Sequence, residues 1–548
     1  MSLLEIICAV SFDLLGCPPK PPSPPIEALQ HVAARSQAQA IAQQPVATRS
    51  QPRNLVLFLA DGLGEDAVAV ARAIAAMPSS APPQPAGSPQ PTEEIVPTAA
   101  KTSPARLDQH ALASVDPASE PPLSSPARPQ PLVLERFPAS AISRTHAAGI
   151  PAADYAGSMS AILTGVSADT IAIGMQPGVA PGTCPPPGKP QTIDPASTKP
   201  DNQAAGTPSV RARPLRDHEV PTLLEQAKLA GLAAGIVTNS RITLAVPAAT
   251  YAHVTDRNWE IDTRMPVSAT EAGCRDIARQ LVEFDRPAVP DARTGRLANA
   301  FARKASAKNR LALDLDGQSE PYSGLDVIMG GGRIAFLPQG APDPVDPARK
   351  GVRKPVGQGG VDLILQWRAR SPGSVFVTGA RALQLNTGTV GPLLGLFAPD
   401  HMAFEADRQQ QALDQPSLAV MTEAAIKRLS RGRVGTPHGY VLVIDAGGID
   451  RAAIAGQADL LIGEIDALDA AIARAVELTA PGNDTMIVVA AGHADLPRNA
   501  RLTPPGYVGE DIQVFALGPG ADRIHGAINA IVLHRILLSA ILHGHRPS

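Results

Sequence analysis

Three carboxylates and an imidazole stand where apolar runs of this sequence stop. Asp61 follows the run in "NLVLFLADGLG", Asp445 and Asp450 follow "GYVLVI", and His493 ends "DTMIVVAAGH". Carboxylate oxygens with an imidazole nitrogen form a donor set suited to a divalent cation. Singly, an Asp after a strand is an ordinary helix cap or turn former, so metal chemistry follows only if the fold gathers these residues. A second stretch, "AADYAGSMSAILTGV" from Ala152 to Val166, has the form of a nucleophile turn, an acid followed by small residues that let a helix start close to a substrate. A bulky Tyr155 occupies the position of the expected small hydroxyl. Ser158 and Ser160 fall in the first turns of the following helix, where packing is the expected role.

The elements that would position these residues are legible as patterns. "NLVLFLADGLG", "AAGIVTNS", "LDVIMGGG", "SVFVTG", "GYVLVIDAGG", "DTMIVVAAGH" and "IQVFALGPG" are short apolar runs that end at polar or small residues. Continuous rather than alternating hydrophobicity predicts strands buried on both faces. Leu461, Ile465, Leu468, Ile472 and Val476 recur at helical spacing and make one apolar stripe. Strands alternating with such helices predict an α/β three-layer sandwich around a central, mostly parallel sheet. Ligands of that architecture bind outside the carboxyl ends of the strands, which is where Asp61, Asp445, Asp450 and His493 fall.

The chain has 548 residues and a formal charge of −3, with no concentrated basic face, so nucleic acid is not an expected partner. No stretch is apolar for long enough to span a membrane. Its 56 prolines concentrate in three places: 18–52, a Pro-rich spacer, and two segments near 78–131 and 185–208 that are too poor in large apolar side chains to offset ordering entropy and read as disordered insertions. Residues 1–17 read as a signal or lipoprotein signal with Cys17 as the lipidation candidate, although no basic residue precedes the apolar run and Glu5 and Asp13 interrupt it. Beyond that segment stand Cys184 and Cys274, a number that fits one disulfide or two buried thiols.

In order along the chain, "NLVLFLADGLG", "LERFPASAISRTH", "DYAGSMSAILTGV", "AAGIVTNSRITLAVPAATYAHVTDRNW", "EAGCRDIARQL", "LDVIMGGGR", "LLGLFAPDHMAFEADR", "PSLAVMTEAAIKRLS", "VIDAGGID" and "GEDIQVFALGP" resemble the alkaline phosphatase family, most specifically its vertebrate-type members. The resemblance implies an alkaline phosphatase-like domain over 53–545. It implies two zinc ions, a magnesium, a serine that becomes phosphorylated and an arginine that clamps phosphate. Paired metals stabilise the attacking and leaving oxygens of in-line displacement, and a bidentate arginine gives directional bonds to phosphate.

Residue by residue, the resemblance implies survival of Asp61 as the first metal carboxylate, Arg257 as the phosphate clamp, Asp450 as a zinc carboxylate and His493 as a metal imidazole. Asp445 stands for a longer magnesium-binding Glu. Substituted positions are Tyr155 for the nucleophile, Ile454 and Tyr507 for zinc-binding His, Gly492 for a carboxylate, Val246 for a magnesium-side hydroxyl and Leu244 for a nearby polar group. At most one Mg or Zn is expected, and the full two-zinc plus magnesium set is not. Cys184 and Cys274 fall where vertebrate-type members have a disulfide, which favours an exported protein, periplasmic or anchored to the cell envelope. The expectation is a catalytically impaired pseudophosphatase that binds a phosphorylated small molecule or dimerises as the family does. The alternatives are an active phosphoesterase with a rebuilt single-metal site and an inert remnant.

Overall fold

All seven apolar runs become strands. The computed structural model describes residues 51–63, 131–144, 155–168, 171–187, 213–214, 216–284, 287–288, 324–370, 373–431, 439–492 and 512–543. The expected signal, nearly all of the spacer and of the two insertions, His493 and Tyr507 lie outside the described residues.

The strands are β1 (Asn54–Leu59), β2 (Ala139–Arg144), β3 (Arg213–Pro214), β4 (Ala233–Arg241), β5 (Pro287–Ala288), β6 (Val327–Gly331), β7 (Val375–Val377), β8 (Leu393–Leu396), β9 (Tyr440–Asp445), β10 (Thr485–Ala490), β11 (Ile512–Leu517) and β12 (Gly526–Asn529). Ten of them form one sheet in the order β12-β2-β11-β10-β1-β9-β4-β6-β8-β7, while β3 and β5 pair separately. From β10 to β7 every neighbour is parallel. β11 runs antiparallel to β10 and to β2.

Parallel strands need both faces covered, and β1 shows how its sequence meets that need. Leu55, Leu57 and Leu59 enter one apolar cluster and Val56 and Phe58 the other. The first face is covered by α1 (Tyr155–Thr164) and α6 (Ala530–His543), through Met159, Ile162, Leu533 and Leu537. On the second face lie α3 (Leu418–Arg431) and α5 (Ala458–Thr479). All five stripe residues of α5, from Leu461 to Val476, are buried there. Full burial of such side chains contributes about 1.5 to 3 kcal/mol each.

Two devices fix α1, the helix that the nucleophile turn opens. At its carboxyl end Gly165 takes φ 76°, and a Cβ there would meet the His534 ring at 2.6 Å. His534, buried in α6, has Nδ1 3.0 Å from the Ile162 carbonyl, so a neutral imidazole donates to the last turn of α1. The segment after α1 is strapped to the one that carries Arg257. Ile173 bridges Val254, the Arg257 amide donates to the Ile171 carbonyl at 2.8 Å, and Thr255 Oγ1 donates to the Thr183 carbonyl at 2.6 Å. The implied disulfide is present: Cys184 and Cys274 are joined, with a sequence separation of 90.

Burial holds the His534 imidazole down to about 4. That lies below its unfolded value, so the unfolded chain takes up the proton first, and stability falls as pH drops from about 6.5 through 4. The expected loss is roughly 3 kcal/mol by pH 4. His534→Gln, which keeps a donor but does not titrate, should flatten that limb of a denaturant-midpoint profile against pH. Breaking the Cys184–Cys274 link releases a long loop, so Cys184→Ala with Cys274→Ala should cost about 4 kcal/mol by chain entropy, read as a lowered midpoint in denaturant.

Candidate active site at the carboxyl edge of the sheet

The site grows out of the ends of three adjacent strands. Asp445 is the last residue of β9 and pairs in register with Leu59 of β1 on one side and Thr238 of β4 on the other. Asp61 follows β1 by two residues, and the turn is held by the Ala60 amide on the Ala490 carbonyl and the Ala446 amide on the Leu59 carbonyl. Gly62 then takes φ 84° against the Asp450 backbone, where a Cβ would lie 3.2 Å from the Asp450 Cα. Asp450 lies in the first turn of α4 (Gly448–Ala455). Asp61, Asp445 and Asp450 therefore lie at one edge of the sheet, near enough for Asp61 and Asp450 to act on Asp445, though not as a group placed to hold a metal ion.

Their charges act on one another. Burial pushes the Asp445 carboxyl up to about 7, and the nearby Asp61 and Asp450 carboxylates push in the same direction. Thr238 Oγ1 donates to Asp445 Oδ2 at 2.6 Å and accepts from the Ser240 amide at 2.9 Å. Among the described residues, Asp445 Oδ1 and Ser240 Oγ are buried without a hydrogen-bond partner. Asp61 Oδ1 accepts from the Gly492 amide at 2.6 Å. A side chain at Gly492 would have to displace Met159: its Cβ would lie 2.7 Å from Met159 Cε, and Met159 is fully buried in α1.

β4 ends at Arg241, and the chain turns into α2 (Ala245–Ala248), with Leu244 as its cap residue. Val246 is buried in the apolar cluster, so this position offers no oxygen. Arg257 lies half-buried ten residues after Pro247 on the strapped segment described above. Ile454, in α4, is exposed at 78%. α1 opens at Tyr155, of which only the backbone is described. Ser160 has the packing role expected, its Oγ accepting from the Gly174 amide at 3.3 Å.

Sequence reasoning did not single out Thr238 and Ser240. The signal was a pair of hydroxyls spaced by two at the end of "AAGIVTNS", the spacing at which strand residues share a face. It also passed over a basic group beside the site. Arg241 donates to both oxygens of Glu260 at 3.0 Å. His401 lies 2.7 Å from Arg241 Nη1 and is driven down to about 3 by burial and by the Arg241 and Arg451 charges. The Arg451 guanidinium stacks over Phe404 at 4.4 Å and donates to the Asn239 carbonyl at 3.3 Å and the Met402 carbonyl at 3.2 Å.

Among the described residues no group of three or more His, Cys, Asp or Glu is placed to hold a metal ion. No described helix is long and apolar enough to cross a membrane.

Comparison with known proteins agrees with this architecture. The alkaline phosphatase family profile matches residues 123–289 and 293–500. The alkaline phosphatase of Gadus morhua is 31% identical over 416 residues, covering 72% of this chain and 71% of the relative. The tissue-nonspecific isozyme of Gallus gallus is 31% identical over 423 residues, 76% of this chain and 64% of the relative. The chain thus spans a little under two thirds of the Gallus gallus protein. Among solved structures, Thermus thermophilus alkaline phosphatase superposes with a TM-score of 0.53 at 17% identity, covering 92% of this chain and 94% of its own. That of the Antarctic bacterium TAB5 gives 0.51 at 16%, covering 90% and 100%. Sequence and fold agree: the chain belongs to the alkaline phosphatase family.

Proposed function

We propose that this protein is a catalytically impaired member of its family, a pseudophosphatase that retains Arg257 as a clamp for a phosphorylated small molecule and holds at most one divalent cation. One observation carries the reading. Met159 fills the space that a side chain at Gly492 would need, so the missing carboxylate has been replaced by packing and not only by deletion. Val246, buried in hydrocarbon, and Ile454, exposed at 78%, support it, since neither position supplies a metal ligand.

The residues do not fit a zinc pair, because a catalytic zinc site needs three protein ligands and an open position. They do fit one hard cation: Asp445 Oδ1 is a buried carboxyl oxygen without a hydrogen-bond partner, and Asp61 lies close enough to raise its pKa. When bound, such an ion would polarise a phosphoryl oxygen and offset carboxylate repulsion. Arg257 would orient phosphate by paired N–H bonds. Without the serine, what is left is binding. Phosphate monoesters need up to ~10²¹-fold acceleration, and loss of a nucleophile alone costs on the order of 10⁶.

A second reading, an active phosphoesterase with a rebuilt single-metal site, draws on the same Asp445 oxygen. The disulfide supports an exported protein, and the family resemblance supports a homodimer.

Turnover of p-nitrophenyl phosphate across pH, with zinc and magnesium added, is expected to stay at the uncatalysed rate, and Tyr155→Ser alone should not restore it. Chelator-sensitive turnover would instead establish the second reading. Inorganic phosphate should raise the melting temperature, and Arg257→Ala should weaken that binding by about 1.5 to 3 kcal/mol, the range for a hydrogen bond to a charged group. Gly492→Asp should destabilise the protein by about 1 to 3 kcal/mol through overpacking, with partial recovery when Met159→Ala opens the space.

A further inference from the structure

We propose that Ser240 is the hydroxyl ligand of a divalent-cation site at the ends of β4 and β9, completed by Asp445 and Asp61, and suited to a small hard cation such as Mg²⁺. This deepens the single-cation part of the reading above and rests on it. The position is set by Gly447. A Cβ built there would lie 2.7 Å from Ser240 Oγ and 2.9 Å from Asp445 Oδ2, so the Ser240 hydroxyl and the Asp445 carboxyl group, from neighbouring strands, border one small space that the glycine leaves open.

Both side chains have a reason to be there that apolar packing does not supply. Ser240 and Asp445 are each 0% exposed, and Ser240 Oγ and Asp445 Oδ1 have no hydrogen-bond partner. A buried polar atom left unsatisfied costs about 1 to 3 kcal/mol, and one cation satisfies both. Thr238 sorts the carboxyl oxygens: its hydroxyl is committed to Oδ2 at 2.6 Å, which leaves Oδ1 for the ion. The Gly492 amide holds Asp61 Oδ1 in the same way at 2.6 Å.

Mg²⁺ accepts one or two carboxylates and fills its remaining positions with water. That tolerance suits a site where Asp445 stands for a longer acid and Val246 offers no oxygen. The hydroxyl then comes from the strand end instead of from α2.

The test is Mg²⁺ titration of the chelator-treated full-length protein by calorimetry and thermal shift, with wild type, Ser240→Ala and Gly447→Ala. Gly447 has φ −64°, a conformation that alanine adopts without strain, so the backbone accepts the change while the methyl fills the space and crowds Ser240 Oγ and Asp445 Oδ2. Wild type should bind Mg²⁺ and gain melting temperature. Each variant should bind about 10-fold or more weakly, and Ser240→Ala without metal should be at least as stable as wild type because an unsatisfied hydroxyl is gone. Equal titration of wild type and both variants would overturn Ser240 as a ligand and leave the single-cation reading standing. Absence of any Mg²⁺-dependent shift in wild type at millimolar concentration would overturn the site altogether, while p-nitrophenyl phosphate turnover reports separately on hydrolytic competence.

Discussion

The register of three central strands governs what this molecule can do. Because β9 lies between β1 and β4 with Leu59 and Thr238 both opposite Asp445, one line across the sheet delivers a carboxyl, a hydroxyl and the start of the Asp61 turn to a common point. The hydrogen bonds that fix this register are paid for by burial on both faces, from Leu55, Leu57 and Leu59 on one side and Val56 and Phe58 on the other. A slip of one residue along β9 would put Ile444 where Asp445 stands and send Asp445 into hydrocarbon. Polar chemistry at the edge therefore depends on apolar packing in the centre.

The second layer of positioning is a strap. Parallel strands place their ends well, but Arg257 and α1 lie on connections beyond them, and connections need their own restraint. The backbone bridge at Ile173, the Thr255 hydroxyl on the Thr183 carbonyl and the Cys184–Cys274 bond tie these two connections together. His534 fixes the far end of α1 from a different element. A ligand-binding surface needs rigidity of this kind as much as a reacting one does.

How much of this was legible depended on whether a residue's neighbours in sequence are also its neighbours in space. The seven apolar runs and the α5 stripe carry their burial in their own composition, and they became the elements expected. β2 was harder: "ASAISR" is small and alternating, with Ile142 exposed at 48% and Ser143 buried at 4%, so nothing in the run itself distinguishes it from a loop. β11 reads like its parallel neighbours yet runs antiparallel, because direction is set by its partners β10 and β2. Asp61 and Asp445 were visible as strand ends. Ser240 was not, since its meaning comes from Gly447, more than two hundred residues away.

Gly492 shows why substitutions at a site of this kind travel in groups. A glycine leaves room beside α1, and an empty apolar pocket destabilises its surroundings by lost contacts. A long, adaptable side chain is the natural filler, and Met159 supplies it, with Cε 2.7 Å from where any Gly492 Cβ would stand. An acid at Gly492 would have to displace that methyl group. Val246 follows the same logic from the other side: a buried hydroxyl without a partner is a cost, and hydrocarbon at this position joins the core. Ser240 runs against this trend. Among the described residues it is a fully buried hydroxyl without a hydrogen-bond partner beside an equally buried Asp445, and the cost of leaving both unsatisfied is the physical argument for the cation proposed there.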